Sequence, residues 1–482
     1  MFKHALVQDA AYSTLLRGQR EEIHARIAGV IEERFPELSA SQPEILAYHA
    51  GEAGFQLKAA HYWQQAGQIA ASRSANAEAS AHLMRGIQML AGVAETPERD
   101  RQELTLQLGL GPALMSNRGY HVPGAQAAYQ RARKLAERLG DDQGRFAAIW
   151  GMWLSGAATG EERYLLLDDM FQAARKLGDD ALLLQAHHSA WATRIWRGEL
   201  VVCHDHVRKG LSLYDQDRHR NHALLYGGHD PAVCGKGQGG VLQWLLGYPD
   251  QAVQSGQEGI TLAEGLGHLP SLAHSLWFAG CIHLLRRDVS SVPDCGERLL
   301  VLGGEHGLGF YQSIGGILRG WSLIQLGNTA EGLTEMRRAV DAYGASGPTM
   351  IRFFHAILAE AELSAGNHDR AAAVLSDPRL SGLTEVFWQS VRLCIQAGIL
   401  LTKSRDNWEA AKRLHYDAIA VAREQQAKSL ELRAGISLAR LLCREGDHTE
   451  ARDLLAPIYG WFTEGFETPD LKDAKALLEE LG

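Results

Sequence analysis

The stretch Leu246-Gly247-Tyr248-Pro249-Asp250-Gln251-Ala252 packs three structural signals into seven residues. An apolar residue ends a helix, a glycine offers the left-handed turn that stops it, and a small residue follows five places after the glycine. The phrase returns as Arg287-Asp288 leading to Val292, Gly327-Asn328 leading to Gly332, and Gly366-Asn367 leading to Ala371. It returns again as Arg405-Asp406 leading to Ala410 and Gly446-Asp447 leading to Ala451. The turns are spaced by 40, 40, 39, 39 and 41 residues, a regularity that marks a structural repeat.

Each unit has room for two helices of roughly 15 residues and two short turns. The Asp, Asn or Thr after each turn is placed to cap the next helix. The small residue lets the paired helices approach closely. One such pair cannot bury both of its faces, so the pairs must stack. Weaker echoes lie upstream, where Gly54 leads to Ala59 and Gly198 leads to Cys203. Helix ends repeat as Arg133-Lys134-Leu135 through Leu139-Gly140-Asp141-Asp142, and as Arg175-Lys176-Leu177-Gly178-Asp179-Asp180. In Gln19 to Phe35, Ile23, Ile27, Val30 and Ile31 form one stripe at helical spacing. No long alternating run points to a sheet. The fold class expected is all-α, an α-α superhelix: a tetratricopeptide-like solenoid of helical hairpins with ~40-residue units, longer than the common ~34. The gap from Gly198 to Gly247 is 49 residues, so an irregular insertion is expected at 218–240.

The chain has 482 residues, of which 46% are hydrophobic and 22% charged, which excludes disorder as its main state. Proline is scarce at 13, as long helices require. A net charge of −9 argues against broad nucleic-acid binding. The apolar run Ser275–Leu285 is too short to span a bilayer, and MFKHALVQDA has no apolar signal core. A cytoplasmic protein that binds neither nucleic acid nor membrane is expected. Its six cysteines form no C-x-x-C pair and read as buried thiols.

Two segments are more specific. The start, Phe2-Lys3-His4-Ala5-Leu6-Val7 through Tyr12-Ser13-Thr14-Leu15-Leu16, resembles the segment that follows the ATPase core in bacterial multidomain signalling ATPases. The end, Ala451-Arg452-Asp453-Leu454-Leu455 through Gly460-Trp461-Phe462, is similar to the same group, as are Tyr62–Gly67, Ala75–Ala79 and Tyr226-Gly227-Gly228-His229-Asp230-Pro231. The resemblance covers nearly the whole chain and is to the C-terminal repeat region of predicted ATPases and adenylate/guanylate cyclase-like proteins. It implies a remnant winged-helix-like segment at 1–35, first repeats at 36–95, further repeats at 96–217, the insertion at 218–240 and regular repeats at 241–482. It also implies that His4 would report bound nucleotide in a fuller protein.

Catalytic signatures are missing. A phosphate loop needs G-x-x-x-x-G-K-[S/T]; the nearest string, Gly235-Lys236-Gly237, lacks the hydroxyl residue and the earlier glycine. No G-x-S-x-G elbow places a nucleophile, and an all-helical chain has no room for a cyclase sheet. No enzyme activity, no cofactor and no metal are therefore expected. Cys203-His204-Asp205-His206 offers at most two ligands on one helical face, fewer than the four of a structural zinc site. The candidate ligand or partner contacts are His187, His188 and Trp191, in a helical context beside Trp196, and His229 with Asp230 in the insertion. Packing between helices is the competing reading for the first group, and a turn locked by Asp-Pro for the second.

The expected function is a non-catalytic interaction and regulatory module. A protein, peptide or small effector would dock on the concave face, with a separately encoded ATPase or cyclase module as a further partner. Two alternatives stand: a cyclase family member by descent whose activity resides in another module, and a fragment of a transcriptional regulator. The second is weakened by residues 1–35, whose basic and acidic side chains leave no positive face.

Overall fold

The computed structural model describes residues 12, 14–118, 121–156, 160–226, 228–345, 350–383, 385–404 and 407–482. It is 81% helical and has no strand among the described residues. Residues 1–11 and 13, with His4, lie outside them. The fold is an all-α superhelix of hairpins, as the spacing predicts.

Among the described residues the repeat turns share one geometry. In each, a residue in the left-handed region stands one or two places after the last helical residue, with φ of 95° at Gly247, 56° at Arg287, 92° at Gly327, 78° at Gly366 and 91° at Gly446. Two amides then bond backwards. Gly247 N donates to Trp244 O at 3.0 Å and Tyr248 N to Gln243 O at 2.8 Å. The same pair of bonds closes the turns at 287–288, 327–328, 366–367 and 446–447, and the upstream turns at 54–55 and 198–199. Carbonyls that a helix end would leave unpaired are thereby satisfied, and the chain reverses within two residues. Gly140 and Gly178 stop their helices in the same way.

The capping expectation needs correction. Asn328, Asn367 and Asp447 stand at the helix starts but make no side-chain cap. Their ψ angles are 53°, 59° and 56°, because the tight turn holds them short of the extended conformation that capping uses. Asp141, Asp179 and Asp230, with ψ of 93°, 109° and 136°, do cap. The small-residue rule holds at Ala252, Val292, Ala371 and Ala451, each fully buried. At the fifth turn, Arg405 and Asp406 lie outside the described residues, and the buried position falls one place late, on Ala411 rather than the exposed Ala410.

The chain forms two compact units. The first comprises residues 1–117, 122–157 and 224–228. It holds α1 (Arg17–Arg34), α2 (Pro36–Ser41), α3 (Pro43–Glu52), α4 (Gln56–Ser72), α5 (Asn76–Leu90), α6 (Pro97–Arg118), α7 (Pro123–Leu139) and α8 (Asp142–Leu154). Residue 95 lies inside this unit, between α5 and α6. Arg131 grips Glu103 with two bonds of 2.7 Å, tying α7 to α6.

The second unit begins with α9 (Glu161–Leu177), α10 (Asp180–Arg194) and α11 (Leu200–Leu213); a one-turn helix, α12 (His222–Leu225), comes next in the chain. It continues with α13 (Pro231–Leu245), α14 (Pro249–Leu266), α15 (Leu269–Leu285), α16 (Val292–His306), α17 (Gly309–Gln325), α18 (Thr329–Gly344) and α19 (Ile351–Ser364). It ends with α20 (His368–Leu375), α21 (Gln389–Lys403), α22 (Trp408–Glu424), α23 (Lys428–Glu445), α24 (His448–Tyr459) and α25 (Pro469–Glu480). The stretch expected to be irregular at 218–240 is irregular only as far as Asp230. From Pro231 it is the helix α13. Asp230 caps it, Pro231 fits its first turn, and its glycines serve close packing: a side chain at Gly240 would meet Ile282 at 2.5 Å and the Ala252 carbonyl at 2.9 Å.

Two layers result. α13, α15, α17, α19, α21, α23 and α25 pack each on the next and form the inner layer. α13 and α15 are buried on nearly all sides, while α14 and α16 bury a single stripe. The inner layer also closes on itself, since α13 packs against α23. Ser429 Oγ donates to Trp244 O at 2.5 Å, and Arg433 donates to Leu285 O while its guanidinium lies 4.8 Å from the Trp244 ring centroid. Glu464 accepts the amides of Asp250 and Gln251 at 2.9 and 3.1 Å. α13 and the start of α14 are therefore covered by the chain's own C-terminal part. Among the described residues no helix is long and apolar enough to cross a membrane.

Two glycine turns separate backbone strain from closure. Gly366→Ala meets no neighbour and should cost about 1 kcal/mol, the strain of a left-handed alanine. Gly247→Ala carries the same strain and also meets Trp461 at 2.4 Å and Lys428 at 2.9 Å, adding about 1–3 kcal/mol of overpacking. Urea denaturation should rank the two in that order; equal losses would mean that the C-terminal part does not cover this turn.

Candidate functional site

α10 presents His187 and His188 to opposite sides, as neighbours on a helix must. His187 turns towards α11, with its Nδ1 2.9 Å from Nδ1 of His206 and its ring edge-on to Phe171. Burial pushes both histidines down to about 4, so the pair is neutral near pH 7. His188 turns towards α13. Its Nδ1 donates to Gln185 Oε1 at 3.0 Å, and the Gln185 amide donates to His222 Nδ1 at 2.8 Å. Its ring stacks on Trp191 at 5.0 Å, and its Nε2 lies 3.4 Å from His229 Nε2.

The loop before α13 brings the remaining groups. The His229 ring lies flat on that of His274 from α15, with centroids 3.9 Å apart and planes 7° apart. Asp230 accepts the amides of Ala232 and Val233 and the Tyr214 hydroxyl, and burial raises its carboxyl pKa. Its own amide donates to Ser271 Oγ at 2.8 Å. Cys234, in the first turn of α13, has its thiol pushed up to about 12 by burial.

Of the sequence candidates, His188, Trp191, His229 and Asp230 meet in one cluster, whereas His187 belongs to the His206 pair. All are buried, with His188 only 2% and His229 only 3% exposed, so a macromolecule does not reach them as they stand. Cys203 and His206 do not converge: the Cys203 thiol donates to Trp191 O at 3.1 Å. Lys236, in the string compared with a phosphate loop, pairs with Glu258 at 2.5 Å on the surface of α13. Sequence reasoning missed Gln185, His222, Cys234 and His274, which have no local pattern and meet only through stacking of α10, α13 and α15. Most of the tryptophans are core: Trp150, Trp153, Trp191, Trp244 and Trp277 are all at most 2% exposed.

A second feature lies where the inner layer closes on itself. A cleft of about 230 Å³ lies among α19, α21, α23 and α25. Arg287, Arg433 and Arg440 line it opposite Glu360, Asp470 and Asp473. Arg433 pairs with Asp470 at 2.8 Å, Arg287 with the same carboxylate at 3.4 Å, and Arg440 with Asp473 at 3.3 Å. Leu363, Val391 and Ile395 supply apolar wall.

Fold and site together describe a helical-repeat protein. No family model matches the chain. A curated relative, the uncharacterized protein R02095 of Rhizobium meliloti (strain 1021), is 27% identical over 328 residues, 67% of this chain and 31% of its own length. The chain thus spans about a third of the length of the curated relative it matches. Among solved structures, a signal transduction ATPase with numerous domains and a tetratricopeptide repeat sensor, from Pyrococcus horikoshii, is similar with a TM-score of 0.38 at 12% identity, over 83% of this chain and 54% of that one. The APC/C hetero-tetramer Cut9–Hcn1 has a TM-score of 0.42 at 10% identity, over 96% and 97%.

Acid should weaken the second unit. His187, His206, His222, His268 and His415 are all held near 4 by burial, below the value of about 6.5 in an unfolded chain. The unfolded state therefore binds more protons, and stability present above pH 6.5 is lost as pH falls towards 4. The urea midpoint should drop between pH 7 and pH 5; an unchanged midpoint would contradict the buried neutral histidines.

Proposed function

We propose that the chain is a non-catalytic interaction and regulatory module that receives a short segment of a partner protein in the cleft among α19, α21, α23 and α25. The observation that carries this reading is the cleft itself: three arginines and three acids over an apolar wall. A peptide with both charges and one apolar side chain suits that lining, by exchanging the internal pairs for intermolecular ones. Since the same arginines tie α23 and α25 to the turn before α16, occupancy would alter the inner-layer closure and so bias an attached or separately encoded output module.

The parent system on this reading is a signalling ATPase or nucleotide-cyclase-like protein, with the repeats as its sensor. Support comes from the resemblance at residues 2–16 and 451–466. A relative about twice as long as this chain leaves room for such a multidomain arrangement.

The test pairs the purified chain with a separately produced ATPase or cyclase module of the signalling family that it resembles. Binding by calorimetry and a change in the module's turnover are expected. Arg440→Glu, at a half-exposed rim position, should weaken binding about tenfold while the helical circular dichroism is kept. Turnover by the chain alone that a point change abolishes, or binding indifferent to Arg440→Glu, would contradict the reading.

A further inference from the structure

The cluster between α10, α13 and α15 has a composition that packing alone does not call for. His188, His229 and Cys234 each offer one ligand atom, and the three atoms lie within 4.8 Å of one another, all buried. Nitrogen and sulfur ligands on a tetrahedral zinc ion, at bonds of about 2.0–2.3 Å, stand about 3.5 Å apart. The 3.4 Å between the two Nε2 atoms already meets that spacing. The thiolate would need a shift on the order of 1 Å.

The surroundings prepare the ligands. With Gln185 accepting from His188 Nδ1 and donating to His222, the His188 proton is fixed on Nδ1, and Nε2 is the lone-pair nitrogen directed at His229. That is the outer hydrogen bond by which metal-bound imidazoles are oriented. A second observation is independent of it. His274 is 3% exposed, stacks on His229, and neither of its ring nitrogens has a hydrogen-bond partner. A buried imidazole with two unsatisfied nitrogens is costly unless it serves something.

We propose that His188, His229 and Cys234 form a binding site for a borderline-soft divalent transition metal ion of the zinc class. An all-oxygen ion such as Mg²⁺ or Ca²⁺ has no suitable ligands here. On binding, the Cys234 S–H bond breaks, its proton leaves to solvent, and a metal–sulfur bond forms. The imidazoles bind as neutral bases and the ion stays divalent. One proton is released per ion, and the site gains one net positive charge in a region that already holds the buried carboxylate of Asp230. The ion would pin α10 to the start of α13, so that the repeat array becomes more stable when metal is present. This site is separate from the cleft proposed above, and its failure would leave that reading standing.

The test loads the full chain with Co²⁺ and then Zn²⁺. The expected result is one Co²⁺ per chain with a thiolate charge-transfer band in the near ultraviolet, displaced by Zn²⁺, with one proton released per zinc in calorimetry across buffers. Cys234→Ser and His229→Asn should each abolish the band, and Cys203→Ser should leave it. X-ray absorption of the zinc-loaded wild-type chain needs no variant to fold and should show one sulfur among imidazole nitrogens. Failure of the wild-type chain to take up a stoichiometric ion, a zinc shell without sulfur, or a band that survives in a folded Cys234→Ser chain would overturn the proposal.

Discussion

Everything in the second unit depends on a turn of two residues in which the chain leaves a helix through a left-handed residue and two amides bond back to carbonyls of the last turn. Because that geometry fixes where the next helix starts, one small buried residue five places on suffices to set how closely the pair packs. Repeated at intervals of about forty residues, it yields two layers, and the inner one has no choice but to curve. Curvature sustained over successive hairpins brings α23 against α13, about 190 residues apart in the chain. The hydrogen bonds from Ser429 and Arg433 to backbone carbonyls there are the consequence, and through them the chain's own C-terminal helices cover part of the inner layer.

The periodic part of this was open to reading from the residues. Glycine or a polar residue at the stop and a small residue after it are local chemistry, so the spacing of the turns and the helical character of the units follow directly. What failed did so for physical reasons. The glycines of α13 look like a loop in a single chain because a glycine's packing role is invisible until Ile282 and the Ala252 carbonyl stand against it. The asparagines after the turns look like caps because the alphabet of capping residues does not record ψ.

The histidine cluster shows the same limit at a site. His188, Trp191, His229 and Asp230 could be singled out as residue types in suggestive neighbourhoods, yet their meeting depends on three helices and a loop. Cys234 and His274 carried no signal, since an isolated cysteine or histidine among 21 histidines has none. The adjacent pair His187-His188 was split by helical geometry, one side chain going to His206 and the other to the cluster. The charged cleft was likewise illegible, because Arg287, Glu360, Arg433 and Asp470 are drawn together only by the closing of the superhelix.

That closing is the central claim, and hydrogen exchange of the intact chain reads it most directly. α13 lies in the middle of the sequence and carries several glycines, which in an open groove would make its amides exchange quickly. Covered by α23, the amides of Pro231–Leu245 should be among the slowest in the protein, slower than those of the outer helix α14 beside it. Exchange of α13 as fast as that of α14 would mean that the concave face stands open and that the account of the inner layer is wrong.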